Sequence, residues 1–247
     1  MDPGFSPVQS IAALAAVVKS VNTIGSGPIG RKPLEVQVLS AAQPSRRAGW
    51  TPGERRRLRQ LSTAVKIQEY LDRIPYNTEK HGETLRSPRR VLRVGTAHCM
   101  EGALLAAAAL EAAGAPPLIM DLTAVDDDDH VIAPFQRRAL WGAVATSKFS
   151  GLRFRSPVYR TLRELAMSYF EPYFSLAGQL TLRGYGVPID LRRFDALGWR
   201  TSEEDLWPLA DALDRRRHVS LLGPAGVRGL HRVDRRLKAA GLLGYPR

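Results

Sequence analysis

The sequence predicts an α+β domain in which one apolar helix packs on a small antiparallel sheet with further helices around it. Three observations predict this. Residues 99–113 form an Ala/Leu-rich run with helix-stop residues behind it, short apolar runs typical of strands follow at once, and amphipathic segments with capping residues lie on both sides. The chain has 247 residues, 44% of them apolar and 24% charged, enough for one well-buried domain with an extension.

Residues 1–50 are rich in Ala, Ser, Gly and Pro and read as an N-terminal arm, with a candidate helix over 8–21 and a loop at Gly25-Ser26-Gly27-Pro28-Ile29-Gly30. The domain occupies 51–247. Its first helix opens at Thr51-Pro52-Gly53-Glu54, where Thr51 suits the N-cap, Pro52 the first helical position and Glu54 the reciprocal acid of a capping box. Leu58, Leu61, Val65, Leu71 and Ile74 then recur on one face until Pro75 stops the helix. A polar segment, 76–90, leads to Val91-Leu92-Arg93-Val94-Gly95. The helix over 99–113 ends at Gly114, with Pro116-Pro117 beyond it.

Residues 118–125 read as a buried strand, 126–129 as an acidic turn, 130–135 as a second strand, 136–138 as a turn and 139–146 as a third strand. A helix over 157–174 turns Leu162, Leu165, Ala166, Tyr169 and Phe170 inward, and 181–186 reads as a strand. A second capping box, Thr201-Ser202-Glu203-Glu204, opens a helix to about residue 217, and 224–243 reads as a basic helical C-terminal extension.

Composition narrows the function classes. A single cysteine, Cys99, permits no intrachain disulfide. No basic region precedes the apolar stretch 11–18, which is shorter than the roughly 20 residues that span a bilayer. A cytoplasmic protein without membrane partners is expected. The formal charge of +12 rests on short arginine clusters such as Arg55-Arg56-Arg57 and Arg215-Arg216-Arg217. None is interleaved with stacking aromatics and no nucleic-acid motif appears, so nucleic acid is not an expected partner. One cysteine and five scattered histidines offer no zinc spacing, and the four adjacent aspartates at 126–129 lack a calcium-loop pattern. No cofactor or metal is expected.

The chemistry is concentrated in Gly95-Thr96-Ala97-His98-Cys99-Met100-Glu101-Gly102-Ala103, which sets the only thiol at the start of a helix. Helix N-termini favour the thiolate, and their N–H groups can stabilise an oxyanion. His130 follows at the mouth of a strand two elements later, where an imidazole can take the thiol proton and return it to a leaving group. Alone, a cysteine at a helix start is a small buried hydrophobe and a histidine after aspartates is a turn residue. The order Cys–helix–strand–turn–His–strand is what joins them.

Residues 95–147 resemble the core of the transglutaminase-like superfamily through Gly95-Thr-Ala-His-Cys99-Met-Glu-Gly-Ala-Leu104, Asp128-Asp129-His130 and Leu140-Trp141-Gly142-Ala143-Val144. Leu152-Arg-Phe-Arg-Ser-Pro-Val-Tyr-Arg160 and Ser168-Tyr-Phe-Glu-Pro-Tyr173 resemble an uncharacterised bacterial branch of it and add no assignable catalytic group. The resemblance implies Cys99 as nucleophile, His130 as base, and acyl transfer through a thioester at an amide, ester or thioester carbonyl. The substrate would be a peptide, an amide or an acyl thioester. The family's third member, an acid just after the strand tryptophan, is absent: Ala145 holds the expected place, which leaves Ser147 or Thr146 to orient His130, or an acid from elsewhere. Without the acid the enzyme is expected to be slow, restricted to activated acyl donors, or inactive. The alternative is an inactive fold that binds an acidic partner. Asn77 is available as an oxyanion donor but reads as an ordinary turn residue, and His98 reads as structural.

Overall fold

The computed structural model describes residues 49–246; the candidate helix over 8–21 lies outside them. The helices are α1 (Pro52–Gln60), α2 (Ala64–Arg73), α3 (Pro88–Val94), α4 (Cys99–Ala112), α5 (Leu162–Met167), α6 (Trp207–Asp214), α7 (Pro224–Arg228) and α8 (Arg235–Gly241). The strands are β1 (Leu118–Ala124), β2 (His130–Arg137), β3 (Leu140–Val144), β4 (Arg155–Tyr159), β5 (Leu182–Gly186), β6 (Ile189–Asp190) and β7 (His218–Ser220). They form one antiparallel sheet in the order β4-β3-β2-β1-β5-β7, with β6 also paired to β1. The fold class is mixed α+β. From Trp50 onward the described residues make one compact unit.

Register separates the two faces of the sheet. Met120 lies opposite Ile132 and Leu122 opposite His130, while Asp121 lies opposite Val131. Ile119, Val131, Ala133 and Phe135 pack with α1 to α4 and α6 in one core. Met120, Leu122 and Ile132 pack with α5 and the C-terminal segments in a second. α4 is buried on every side from Met100 to Leu110, as a helix apolar on all faces apart from Glu101 in its first turn must be.

Several boundaries differ from the sequence expectation, each for a local reason. The single helix expected from 52 to 74 is α1 and α2, because Thr63 leaves the helix to cap the second one through Lys66 N (3.2 Å). Residues 88–94, read only as an approach to the cysteine, form α3 behind an Ser87 cap and Pro88. The β2–β3 turn is at Arg138-Ala139, both with positive φ (52° and 63°), two residues that reverse the chain with the twist a hairpin needs.

The start of the expected 157–174 helix is instead β4, since Pro157 drives the preceding residue to extended backbone and Val158 and Tyr159 favour strands. Helix α5 begins only at the Thr161 cap. The second capping box does not form. Glu203 pairs with Arg93, Ser202 Oγ accepts from Glu204 N, and α6 starts at Trp207 without a side-chain cap. The basic C-terminal helix is split in two, the second part capped by Asp234 through Arg236 N and Leu237 N.

Among the described residues no helix is long and apolar enough to cross a membrane, and no group of three or more His, Cys, Asp or Glu side chains could hold a metal ion.

Candidate active site

Cys99 is the first residue of α4, and His98 is its N-cap. His98 and Glu101 build a reciprocal cap: Met100 N donates to His98 Nδ1 (3.3 Å) and His98 N donates to Glu101 (3.1 Å). Histidine replaces the usual Ser, Thr, Asp or Asn at this position, which brings an imidazole up against the thiol. The Glu101 carboxylate is fully buried. It also accepts from Asn77 Nδ2 (3.1 Å), Thr84 Oγ1 (2.9 Å) and Arg86 N (3.0 Å), with the Arg86 guanidinium at 3.7 Å. These bonds tie the start of α4 to the 77–86 segment. Asn77 is thus held by Glu101 and Thr84.

His130 opens β2 and is buried. Its Nε2 lies 2.8 Å from the Leu152 carbonyl oxygen, and its ring meets the edge of Tyr169 at 6.3 Å between centroids. A carbonyl only accepts, so Nε2 carries a proton and Nδ1 is the nitrogen left to gain or release one.

The half-buried Cys99 thiol is subject to opposing influences. Burial raises its pKa, but side-chain hydrogen bonds with His130 and His98, and the charges of both rings, bring it down to about 5. At His98 burial pulls the pKa down, while the hydrogen bond to Cys99 and the charges of Glu101, Cys99 and Glu79 push it up to about 9. His98 Nε2 lies 2.8 Å from the Thr84 carbonyl oxygen, so the ring is held from the 77–86 segment. His98 was read from the sequence as structural; it is also an electrostatic neighbour of the thiol.

His130 is thus an electrostatic neighbour of the Cys99 thiol, whose pKa it lowers, and Ser147 is engaged elsewhere. Ser147 Oγ accepts from Phe149 N (3.1 Å), a turn bond two residues long, and makes no bond with His130. The segment around Ala145 cannot swing in to help, because Gln68 holds the Ala145 backbone at both ends: Gln68 Nε2 donates to Ala145 O (2.9 Å) and Gln68 Oε1 accepts from Ala145 N (3.1 Å). The group that His130 Nε2 meets is instead the Leu152 main-chain carbonyl.

Tyr76 is a further neighbour that sequence reasoning missed. A two-residue parallel bridge pairs Tyr76 with Ala97, through Asn77 N to Ala97 O (3.1 Å) and Ala97 N to Pro75 O (3.4 Å). This sets the phenol beside the Cys99 thiol and backbone N–H. Burial and the negative charge of Cys99 raise its pKa well above that of a free tyrosine, against the pull of the Cys99 backbone hydrogen bond, so the phenol keeps its proton. An isolated bridge leaves no periodic pattern, and its only trace in the sequence is proximity to Pro75.

The acidic turn is less solvated than its composition suggests. Asp127 accepts from the Thr181 hydroxyl (2.7 Å), and Asp129 accepts from Ala124 N (2.8 Å) with its pKa raised by burial to about 6. Tyr173 donates to Asp128 O (2.6 Å), fixing the chain just before His130.

Comparison with known proteins finds no family model and no curated protein that matches the chain.

Proposed function

We propose that this chain is a transglutaminase-like cysteine acyltransferase or hydrolase, with Cys99 as nucleophile and His130 as base. The observation that carries the reading is the meeting of a helix N-terminal thiol, held as thiolate near pH 5, with an imidazole whose other nitrogen is tied to a carbonyl. The order of cysteine helix and histidine strand, β1 between them, supports the superfamily resemblance.

In the first half-reaction the Cys99 thiolate attacks the carbonyl of an amide, ester or thioester. A carbon–sulfur bond forms, the oxyanion collapses, and the amine, alcohol or thiol departs with a proton from His130. The protonated phenol of Tyr76, whose oxygen accepts from the Cys99 backbone N–H, is the donor offered to the oxyanion. In the second half-reaction His130 takes a proton from water or an amine, which attacks the thioester and releases acid or amide together with the free thiolate. The acceptor decides between hydrolysis and amide formation.

Iodoacetamide alkylation followed against pH tests the pair, and release of nitrophenol from p-nitrophenyl esters tests acyl transfer. Wild type should alkylate on a plateau from about pH 6 upward and give a burst of one nitrophenol per chain. In His130→Ala the inflection should move toward the free-thiol value of about 8.5. Superimposed profiles near that value would overturn the assignment. Fast alkylation with no acylation by any ester would overturn it in favour of an inactive fold that binds an acidic partner.

A further inference from the structure

We propose that the Leu152 carbonyl is the third member of this site, in place of an acid, and that Arg155 is the positioning residue that holds it on His130. The inference rests on the acyl-transfer reading and goes beyond it, assigning roles to two segments that carried none in the sequence.

Each of the four successive carbonyls of residues 151–154 has a side-chain partner here. Arg155 Nη2 donates to Gly151 O (2.8 Å), and Arg155 Nη1 donates to Phe154 O (3.0 Å) and, at 3.5 Å, to Arg153 O. The Tyr169 hydroxyl donates to Arg153 O (2.9 Å). The remaining carbonyl, Leu152 O, is the one that His130 Nε2 meets. The same guanidinium is anchored to α5 and the turn after it through Ser168 Oγ (2.9 Å) and Ser168 O (3.1 Å). It also lies 3.9 Å over the face of Tyr169, whose ring edge meets His130. A planar fork of five donors suits several carbonyls at fixed angles, which a lysine ammonium does not reproduce. One residue thus gathers the neighbours of Leu152 and supports the aromatic ring beside the imidazole.

A carbonyl fixes the tautomer that leaves the Nδ1 lone pair for Cys99, but it brings no formal charge to steady an imidazolium. It also does not titrate, so protonation of a triad carboxylate contributes nothing to the acid limb of activity.

Two measurements test this on the full chain. In Cys99→Ala, which keeps His130 in place without its partner, nitrogen chemical shifts of the imidazole at neutral pH should report the proton on Nε2. A proton on Nδ1 would overturn the proposal. In Arg155→Ala with Cys99 intact, alkylation at pH 6.5 should slow about tenfold or more as the inflection moves toward about 8.5, with millimolar guanidinium restoring part of the rate. Arg155→Lys should remain impaired. An Arg155→Ala profile that coincides with wild type, in a protein whose reactivity still depends on His130, would overturn the role of Arg155 and leave the acyl-transfer reading standing. A wild-type thiol that titrates as a free one would instead sink the acyl-transfer reading itself.

Discussion

Glu101 is the residue on which the geometry of the thiol depends without touching the chemistry. Its two carboxylate oxygens accept from Asn77, Thr84, Arg86 and His98, and none of its surface reaches solvent. Glu101→Gln presents an NH2 group to donors and removes the negative charge facing Arg86. Breaking a buried, charged hydrogen-bond cluster from one side costs about 3 kcal/mol or more. A denaturant melt should show a loss of that order. The substitution also removes one of the charges that raise the His98 pKa, so that pKa should fall from about 9, and NMR titration of the ring checks the sign. The capping-box pattern was present in the sequence as His98-x-x-Glu101, yet its box is assembled from a histidine rather than a hydroxyl residue. That choice of cap residue is what places a titratable ring beside the nucleophile.

At the scale of elements, α4 must lie very close to the segment after β3 if His130 is to reach the first turn of the helix. Gly102 permits it: a Cβ there would fall 2.4 Å from Thr146 Cγ2 and 3.2 Å from Thr146 Cβ. Gly102→Ala should therefore destabilise the protein by about 1–3 kcal/mol through overpacking, despite alanine's better helix propensity. Thr146→Ser removes the clashing methyl, so the double variant should recover most of the loss in a thermal melt. A simple sum of the two single effects would show that the contact is not what limits the approach. Gln68 completes the arrangement from α2 by bonding both backbone groups of Ala145, much as a neighbouring strand would.

Across the whole molecule, the C-terminus braces the turn that carries the Leu152 carbonyl. Ser150 Oγ donates to Ala240 O (2.5 Å), Phe149 meets Tyr245 edge-on at 5.2 Å, and the Phe174 ring packs against α8 where a Cβ on Gly241 would lie 2.5 Å away. Ala240 and Tyr245 are thus attached to the segment immediately before Leu152, far from it in sequence. Gly241→Val should lift α8 from Phe174 and lower the melting temperature. It should also slow Cys99 alkylation at pH 6.5, because the brace and the carbonyl share one turn. A variant with a lowered melting temperature and an unaltered alkylation profile would confine the role of α8 to stability.

The sequence by itself determined the helix that carries Cys99, the strands on either side of the acidic turn, and the caps at Thr51 and Glu54, because each rests on local spacing, propensity or a bond across three residues. It also marked Cys99 and His130, whose order along the chain was legible before their meeting was. Only the tertiary structure decided what lies around them. The group that His130 Nε2 meets is a main-chain oxygen, which every residue possesses and no pattern reveals, while Tyr76 arrives through a single bridge. The box at Thr201-Ser202-Glu203-Glu204 failed because Ser202 Oγ takes the Glu204 N–H that Thr201 would have capped, while the neighbouring Glu203 pairs with Arg93. Local energies of a few tenths to about 1 kcal/mol per cap or pair are readily outweighed when packing brings several distant groups to one place.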